Sequence, residues 1–336
     1  MLVFLPATFQ ETKEKAKWFD KPIVKKISSK VGFGFEIKKP SLEGLKIYGE
    51  PPLPYGIHFH SNLSMEPQRF DDQVEAARKL KPVYTILHGM EVYPCPPREN
   101  EFKFLSSVGA IEYRKTFEQF VDFAKRLKKI VGLPIVVENT PIADLVFKMG
   151  DYQPKLYFDL RIGTFSKDLL AAKEGIGCKI VLDIEHLGLS LNYIKRKFQY
   201  SRLPKMVLGE MTFSEEKTLD QYGLFLKKGF PLAVPRQLTL EGEIKDIGAK
   251  IYHLSGCRKT VGYIEAVKDK IVTHAPIHLN DKKFRQFLRI ILRQKPEILV
   301  LEVAGPQDNA CWAYRPRDVQ EKSFENLCKM LDEEMK

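Results

Sequence analysis

Short apolar runs of strand character alternate with amphipathic segments of helical period eight times along the chain, and this alternation restricts the fold more than any other feature. The strand runs are GFGFEI (Gly32–Ile37), YGIHFH (Tyr55–His60), VYTILH (Val83–His88) and PIVVEN (Pro134–Asn139). KIVLDI (Lys179–Ile184), KIYHLS (Lys250–Ser255), KIVTHA (Lys270–Ala275) and ILVLEV (Ile298–Val303) follow. Most are nearly continuous in Val, Ile and Leu, as expected of parallel strands covered on both faces. Between them, Phe117, Phe120, Val121, Ala124 and Leu127 repeat at helical spacing, as do Phe284, Phe287, Leu288 and Ile291 behind a capping Asp281. Ser166 and Ser214 are further candidate caps, and Phe324, Leu327, Cys328 and Leu331 mark a last helix. Eight βα units in 336 residues predict an α/β fold, a single (β/α)8 TIM barrel over residues 31–336. Residues 1–30 read as an added N-terminal extension. An open doubly wound sheet is the alternative, but no GxGxxG follows the first strand run.

The polar residues are distributed unevenly on this frame. All seven histidines (His58, His60, His88, His186, His253, His274 and His278) lie in a predicted strand or within a few residues of its C-terminal end. Glu138, Asp183, Glu185 and Glu302 occupy the same kind of position. In a (β/α)8 barrel these ends converge on one face. A lone His at a strand end is more often a hydrogen-bonded core residue, but a whole ring of imidazoles and carboxylates is poorly explained that way. Buried carboxylates need partners, and a divalent cation supplies one. Mixed His and carboxylate ligands suit zinc first, then manganese or iron, rather than calcium.

The order of these motifs resembles the endonuclease IV group of xylose-isomerase-like TIM barrels, over about Gly56 to Gly305. His60 in FHSNLS, His88 in ILHG, Glu138 in IVVENTP, Asp183 and His186 in LDIEH, His253 in IYHLSG, His274, and Glu302 in LVLEVAG follow the family's order. The resemblance implies one metal on His60, His88 and Glu138. It implies a second on Glu138, Asp183, His253 and Glu302, with Glu138 bridging. His186 and His274 would belong to a third site, whose usual aspartate is replaced here by Val272. His58, His278 or Asp281 are candidates to compensate, so two or three ions are expected.

Two classes of reaction fit such a cluster: hydrolysis of a DNA phosphodiester beside an abasic site, and isomerisation or epimerisation of a sugar or phosphorylated sugar. Glu138, Asp183, Glu185 and Glu302 are the candidate catalytic carboxylates, with Glu138 and Glu302 as the acid–base pair of the sugar reading. A barrel that binds nucleic acid without catalysis is a third option. The formal net charge of +11 favours an anionic partner. The connection after Asp183 mixes Lys195, Arg196, Lys197, Arg202 and Lys205 with Tyr193, Phe198 and Tyr200, cations interleaved with rings. Read as a DNA contact, this segment uses Lys195, Arg196, Lys197, Tyr200 and Arg202, joined by Arg258 and Lys259. Read otherwise, it is a solvated amphipathic helix.

Five scattered cysteines without a CxxC pair argue against a disulfide framework. The opening MLVFLPATF lacks the pattern of a signal peptide, and no apolar run approaches the ~20 residues that span a bilayer. The expected compartment is the cytoplasm, with no membrane partner.

Overall fold

The computed structural model describes residues 1–52, 54–59, 67–89, 110–140, 143–147, 154–158, 163–194, 239–256, 274–303 and 317–335. Eight parallel strands close into a barrel. They are β1 (Leu2–Ala7), β2 (Gly32–Lys38), β3 (Tyr55–His58), β4 (Thr85–His88), β5 (Ile135–Glu138), β8 (Lys179–Asp183), β9 (Ile251–Leu254) and β10 (Ile298–Leu301). An antiparallel pair, β6 (Ala143–Phe147) and β7 (Pro154–Phe158), forms a separate two-stranded sheet. Helices fall between the strands, among them Pro67–Leu80, Ala110–Arg126, Ser166–Ile176 and Lys282–Arg293, with Arg317–Glu334 after the last. The chain is a (β/α)8 barrel. No helix among the described residues is long and apolar enough to cross a membrane.

The period of two sorts each strand onto two cores. Val3, Leu5, Phe35, Ile37, Ile57, Leu87, Val137, Leu182 and Leu299 face outward into one large core shared with the helices. Phe4, Tyr84, Ile86, Val136, Val181, Ile251, Ile298 and Val300 face inward and fill the barrel. Two large rings, Phe4 and Tyr84, stack across that interior with centroids 5.9 Å apart. They fit because β2 and β3 present glycine to them. A Cβ on Gly56 would lie 2.5 Å from Tyr84 Cε2, and one on Gly34 would lie 2.8 Å from Phe4 Cε1.

Two sequence expectations are corrected here. Residues 1–30 are not an appendage, because Leu2–Ala7 is a barrel strand, in register with Gly32–Ile37 on one side and with Ile298–Val300 on the other. Its Pro6 lies beyond the last pair with β10, where the ladder on that side has ended. The rest of this segment also belongs to the fold. Trp18 is buried against Phe324 of the C-terminal helix, and Lys26 pairs with Asp332 of the same helix at 2.6 Å. Conversely, the barrel closes without Lys270–Ala275, since β9 pairs directly with β10. Lys270 to Thr273 lie outside the described residues, and His274 follows in non-strand backbone with φ of 51°. The count of eight strands therefore stands with one member exchanged: the strands that carry His88, Glu138, Asp183 and His253 each come one place later than expected, while Glu302 stays at the end of the eighth.

The helix caps follow local chemistry. Asp281 accepts from Phe284 N at 3.0 Å, as expected. Ser166 is the first helical residue rather than the cap, and both its N–H and its hydroxyl donate to buried Glu243. Asp168 accepts from Gly163 N at 2.6 Å and ties the preceding turn to this helix. The expected cap at Ser214 lies outside the described residues.

Candidate metal centre

The inward face of each strand changes character at one level. Two residues after an inward apolar or glycine position comes a ligand-type residue: Gly34 then Glu36, Gly56 then His58, Ile86 then His88, Val136 then Glu138. The same step takes Val181 to Asp183, Ile251 to His253 and Val300 to Glu302. Register lines these residues up, with His88 opposite Glu138 and Asp183 opposite His253. The barrel interior thus ends in a layer of imidazoles and carboxylates at the C-terminal ends of the strands.

Glu138 is at its centre, fully buried. Its Oε2 lies 3.2 Å from His58 Nε2 and 3.3 Å from His88 Nε2, and its Oε1 lies 3.1 Å from His253 Nδ1. Neither oxygen has a hydrogen-bond partner. Glu302 Oε2 also meets His253 Nδ1 and is likewise without a hydrogen bond. Three sets of ligand atoms each lie within 4.8 Å of one another: Glu36–His58–His253, His58–His88–Glu138, and Glu138–Asp183–His253–Glu302.

The outer atoms of these residues are fixed. His58 Nδ1–H donates to Phe59 O at 2.9 Å, leaving Nε2 directed at Glu138. His253 Nε2–H donates to Glu36 Oε2 at 3.0 Å, leaving Nδ1 directed at Glu138 and Glu302. His186 Nδ1–H donates to Asn139 O at 3.0 Å. Imidazoles whose far nitrogen is held by a carboxylate or carbonyl, with the near one turned inward, are oriented as metal ligands are. Asp183 is held in the same way. Its Oδ1 accepts from Glu185 N (2.7 Å) and His186 N (2.9 Å), opening the helix Ile184–Ile194, while Asn139 pairs with its backbone through both amide atoms. Tyr84 OH donates to Glu36 Oε2 at 2.6 Å, and Lys38 Nζ lies 2.9 Å from Glu36 Oε1 and 2.7 Å from Glu302 Oε1.

The electrostatics carry the mark of a site built for cations. Burial pushes the Glu138 carboxyl up, but the imidazoles of His253 and His88 outweigh it and hold it well below the usual range. Glu302 is lowered by His253 and Lys38 against burial, and Glu36 falls to about 2 for similar reasons. Burial pushes Asp183 well above its ordinary value, helped by Glu302. His253 is raised well above 6.5 because Glu138, Glu302 and Glu36 outweigh its burial. Burial lowers His88 to about 4, which keeps its lone pair available at neutral pH. So without a cation the layer favours the protonated form of the His253 imidazole and disfavours ionisation of the Asp183 carboxyl. Divalent ions would relieve both, and the mixed His and carboxylate set suits them. Buried oxygens and nitrogens without hydrogen bonds, directed at common points, fit such a group.

The expected ligands His88, Glu138, Asp183, His253 and Glu302 come together here. His60 lies outside the described residues; its neighbour His58 takes part in the ligand sets. His186 stands to the side, 3.7 Å from Glu138 Oε1 and 3.8 Å from Asp183 Oδ2, with its ring 5.8 Å from that of His274. His274 N donates to Glu185 Oε2 at 2.6 Å, and the same oxygen accepts from Ser255. Neither His186, His274, His278 nor Glu185 joins a ligand set among the described residues. Lys195, Arg196, Lys197, Tyr200, Arg202, Arg258 and Lys259 all lie outside the described residues. Glu36, Lys38 and Tyr84 were not anticipated. The signal for Glu36 and Lys38 is the β2 alternation, which puts Gly34, Glu36 and Lys38 on one face of the strand.

The chain is similar in three dimensions to endonuclease IV from Thermus thermophilus, at 14% identity over 99% of either chain with a TM-score of 0.46. It is similar to the 3-keto-D-glucoside 4-epimerase of E. coli, at 9% identity over 98% of either chain and a TM-score of 0.48. A xylose isomerase domain containing protein from Salmonella typhimurium matches at 12% identity, over all of this chain and 97% of its own, with a TM-score of 0.45. These likenesses assign no chemistry to the chain. No family model matches the sequence, and no curated protein matches it.

Proposed function

We propose that the protein is a metal-dependent phosphodiester hydrolase acting on DNA, at abasic sites. The observation that carries this reading is Glu138. Its two buried oxygens face two different ligand sets, with no hydrogen bond to either, as a carboxylate shared between two cations requires. A pair of divalent ions supplies Lewis acidity there, acidifying water and stabilising the attacking and leaving oxygens of an in-line displacement. His58 and His88 would hold one ion with Glu138, and Asp183, His253 and Glu302 would hold the other. Glu302 and Glu185 are 14% and 13% exposed in their side chains, unlike the fully buried Glu138, so they stand nearest the approaching substrate and suit the orienting of water. The net charge of +11 and the basic segment from Lys195 to Arg202, with Arg258 and Lys259, would attract the phosphates.

The test is a duplex carrying one abasic-site analogue, incubated with added manganese or zinc and separately with a chelator. Chelator-sensitive nicking beside the lesion, weakening steeply with salt, is the expected result. Intact duplex under every divalent metal refutes the reading.

One observation favours a sugar isomerase or epimerase as the second reading. Glu138 and Glu302 converge on a single atom, His253 Nδ1. Two carboxylates at one point suit proton transfer between neighbouring carbons of a bound sugar. Turnover of phosphorylated sugars, insensitive to salt and without nicking, would establish it.

A further inference from the structure

Glu302 differs from the other residues of the ligand sets in how its backbone is held. Glu36, His58, His88, Glu138, Asp183 and His253 each stand opposite a residue of a neighbouring strand in the barrel ladder. The ladder of β10 with β1 ends at Val300 and that with β9 ends at Leu301. Glu302 lies one residue beyond. Its N–H donates to Leu254 O at 2.8 Å, but on its other side the chain is held from outside the barrel. Gln320 of the C-terminal helix donates from Nε2 to Val303 O at 2.6 Å. Ser323 and Asn326 share that helix face and are buried with it. Ser323 Oγ accepts from Ile277 N at 3.2 Å, and Asn326 Nδ2 donates to Ile277 O at 2.8 Å. These two fix the helix to the connection that leads into Lys282–Arg293, and Gln320 reaches from the fixed helix to the residue next to Glu302.

We propose that Gln320 is a positioning residue of the metal centre: by holding Val303 O it sets the backbone from which Glu302 presents its carboxylate. This rests on the reading of Glu302 as an ion ligand and deepens it. Stability alone does not account for a glutamine at this place. Gln320 is buried, and its Oε1 has no hydrogen bond. A buried acceptor without a partner is costly, and an apolar side chain of similar length would avoid that cost. What the amide adds is one directed N–H beside a ligand that lacks a ladder partner. The Glu302 side chain is tied at Oε1, which accepts from Lys38 Nζ at 2.7 Å, while Oε2 meets His253 Nδ1. A shift of the Val303 peptide therefore moves Oε2 against its neighbours. Asn326 is the matched control within the same helix. It too donates one amide hydrogen bond to a carbonyl and keeps a buried oxygen without a hydrogen bond, but Ile277 adjoins no member of a ligand set.

The experiment measures metal affinity and needs no substrate. Wild type, Gln320→Met, Gln320→Asn and Asn326→Ala are stripped of metal, checked for fold by circular dichroism, and titrated with manganese, with bound ions counted by elemental analysis. Wild type should bind two ions. Gln320→Met should bind one of them ~10–100-fold more weakly and the other unchanged, the loss typical of removing an outer support. Gln320→Asn keeps the amide on a shorter stem and should act in the same direction; it serves if the methionine variant does not fold. Asn326→Ala should melt at a lower temperature and bind both ions as wild type does. Undiminished affinity in the Gln320 variants, or an equal loss in Asn326→Ala, overturns the role of Gln320 and leaves the shared Glu138 standing. Fewer than two ions in wild type overturns the dinuclear reading and the role of Gln320 with it.

Discussion

Replacing Glu138 by Gln changes one oxygen to nitrogen and should dismantle the centre. Glu138 Oε2 stands between His58 and His88, while Oε1 stands against His253. The amide carries no charge, so the ion on the His58–His88 side loses its only carboxylate, while the other keeps Asp183 and Glu302. On the His58–His88 side nothing but imidazoles remains. Loss of an outer partner alone weakens metal binding by ~10–100-fold, and loss of a shared anionic ligand should exceed ~100-fold. The linked stability can be followed in the same protein. An ion present at ~100 times its Kd stabilises the fold by ~2.7 kcal/mol, so two ions contribute ~5 kcal/mol. For a chain of this size that is a rise in Tm of ~5–10 °C on adding metal. Glu138→Gln should retain one ion at most and lose at least half of that rise, measured by elemental analysis and thermal melts with and without chelator. Two ions retained, with an undiminished chelator-sensitive shift, would show that Glu138 does not bridge.

Glu36→Gln should weaken metal binding by ~10–100-fold without removing a ligand, because it releases the orientation of His253; Tyr84→Phe should act the same way but less, read from metal titrations. Metal binding should release protons, since His253 is raised and Asp183 is raised in the metal-free centre, while His88 at about 4 is already neutral. Affinity should therefore fall as pH falls, by up to ~10-fold per pH unit for each proton displaced. A weakly buffered indicator assay that detects no proton release would contradict this. Trp18→Ala should cost ~3–5 kcal/mol in urea unfolding yet leave the metal count unchanged, because Trp18 packs against the C-terminal helix.

The ring of ligands was legible because a parallel barrel sends every strand end to one face, so strand-terminal His and Glu residues converge wherever the strands sit. What was not legible had physical reasons. Leu2–Ala7 ends in Pro and Ala and carries no ligand, so nothing at its end marks it as a barrel strand. KIVTHA has the composition of a strand, but composition does not report which strands pair, and β9 and β10 pair without it. His58 and His60 are two apart and would share a strand face, so local pattern alone could not choose between them. β3 ends at His58, and its side chain meets Glu138. Glu36 and Lys38 carry no such mark in the sequence, because an acid and a base two apart on a strand suit a solvated face equally well. Closure by β1 and β3 on either side makes β2 a covered strand and turns that charged face inward.

That inward face joins the packing of the barrel to its chemistry through Tyr84, whose ring stacks on Phe4 and whose hydroxyl holds Glu36. Gly56 is the position that tests the link. A Cβ there would meet the Tyr84 ring carbons Cε2 and Cε1 at 2.5 and 2.6 Å, so Gly56→Ala cannot be accommodated without moving the ring. Overpacking of this kind costs ~1–3 kcal/mol. The ring cannot shift as a body and keep the 2.6 Å bond to Glu36. His253 then loses the support of its orienting carboxylate, and metal affinity should fall together with stability although no ligand has been touched. Phe4→Leu provides the control, since it loosens the same interior while leaving the Tyr84 hydroxyl and Glu36 in place. If Gly56→Ala and Phe4→Leu, compared at equal loss of stability, bind metal alike, the chain from Tyr84 through Glu36 to His253 is packing only. If the glycine variant alone binds weakly, the barrel interior sets the geometry of the centre.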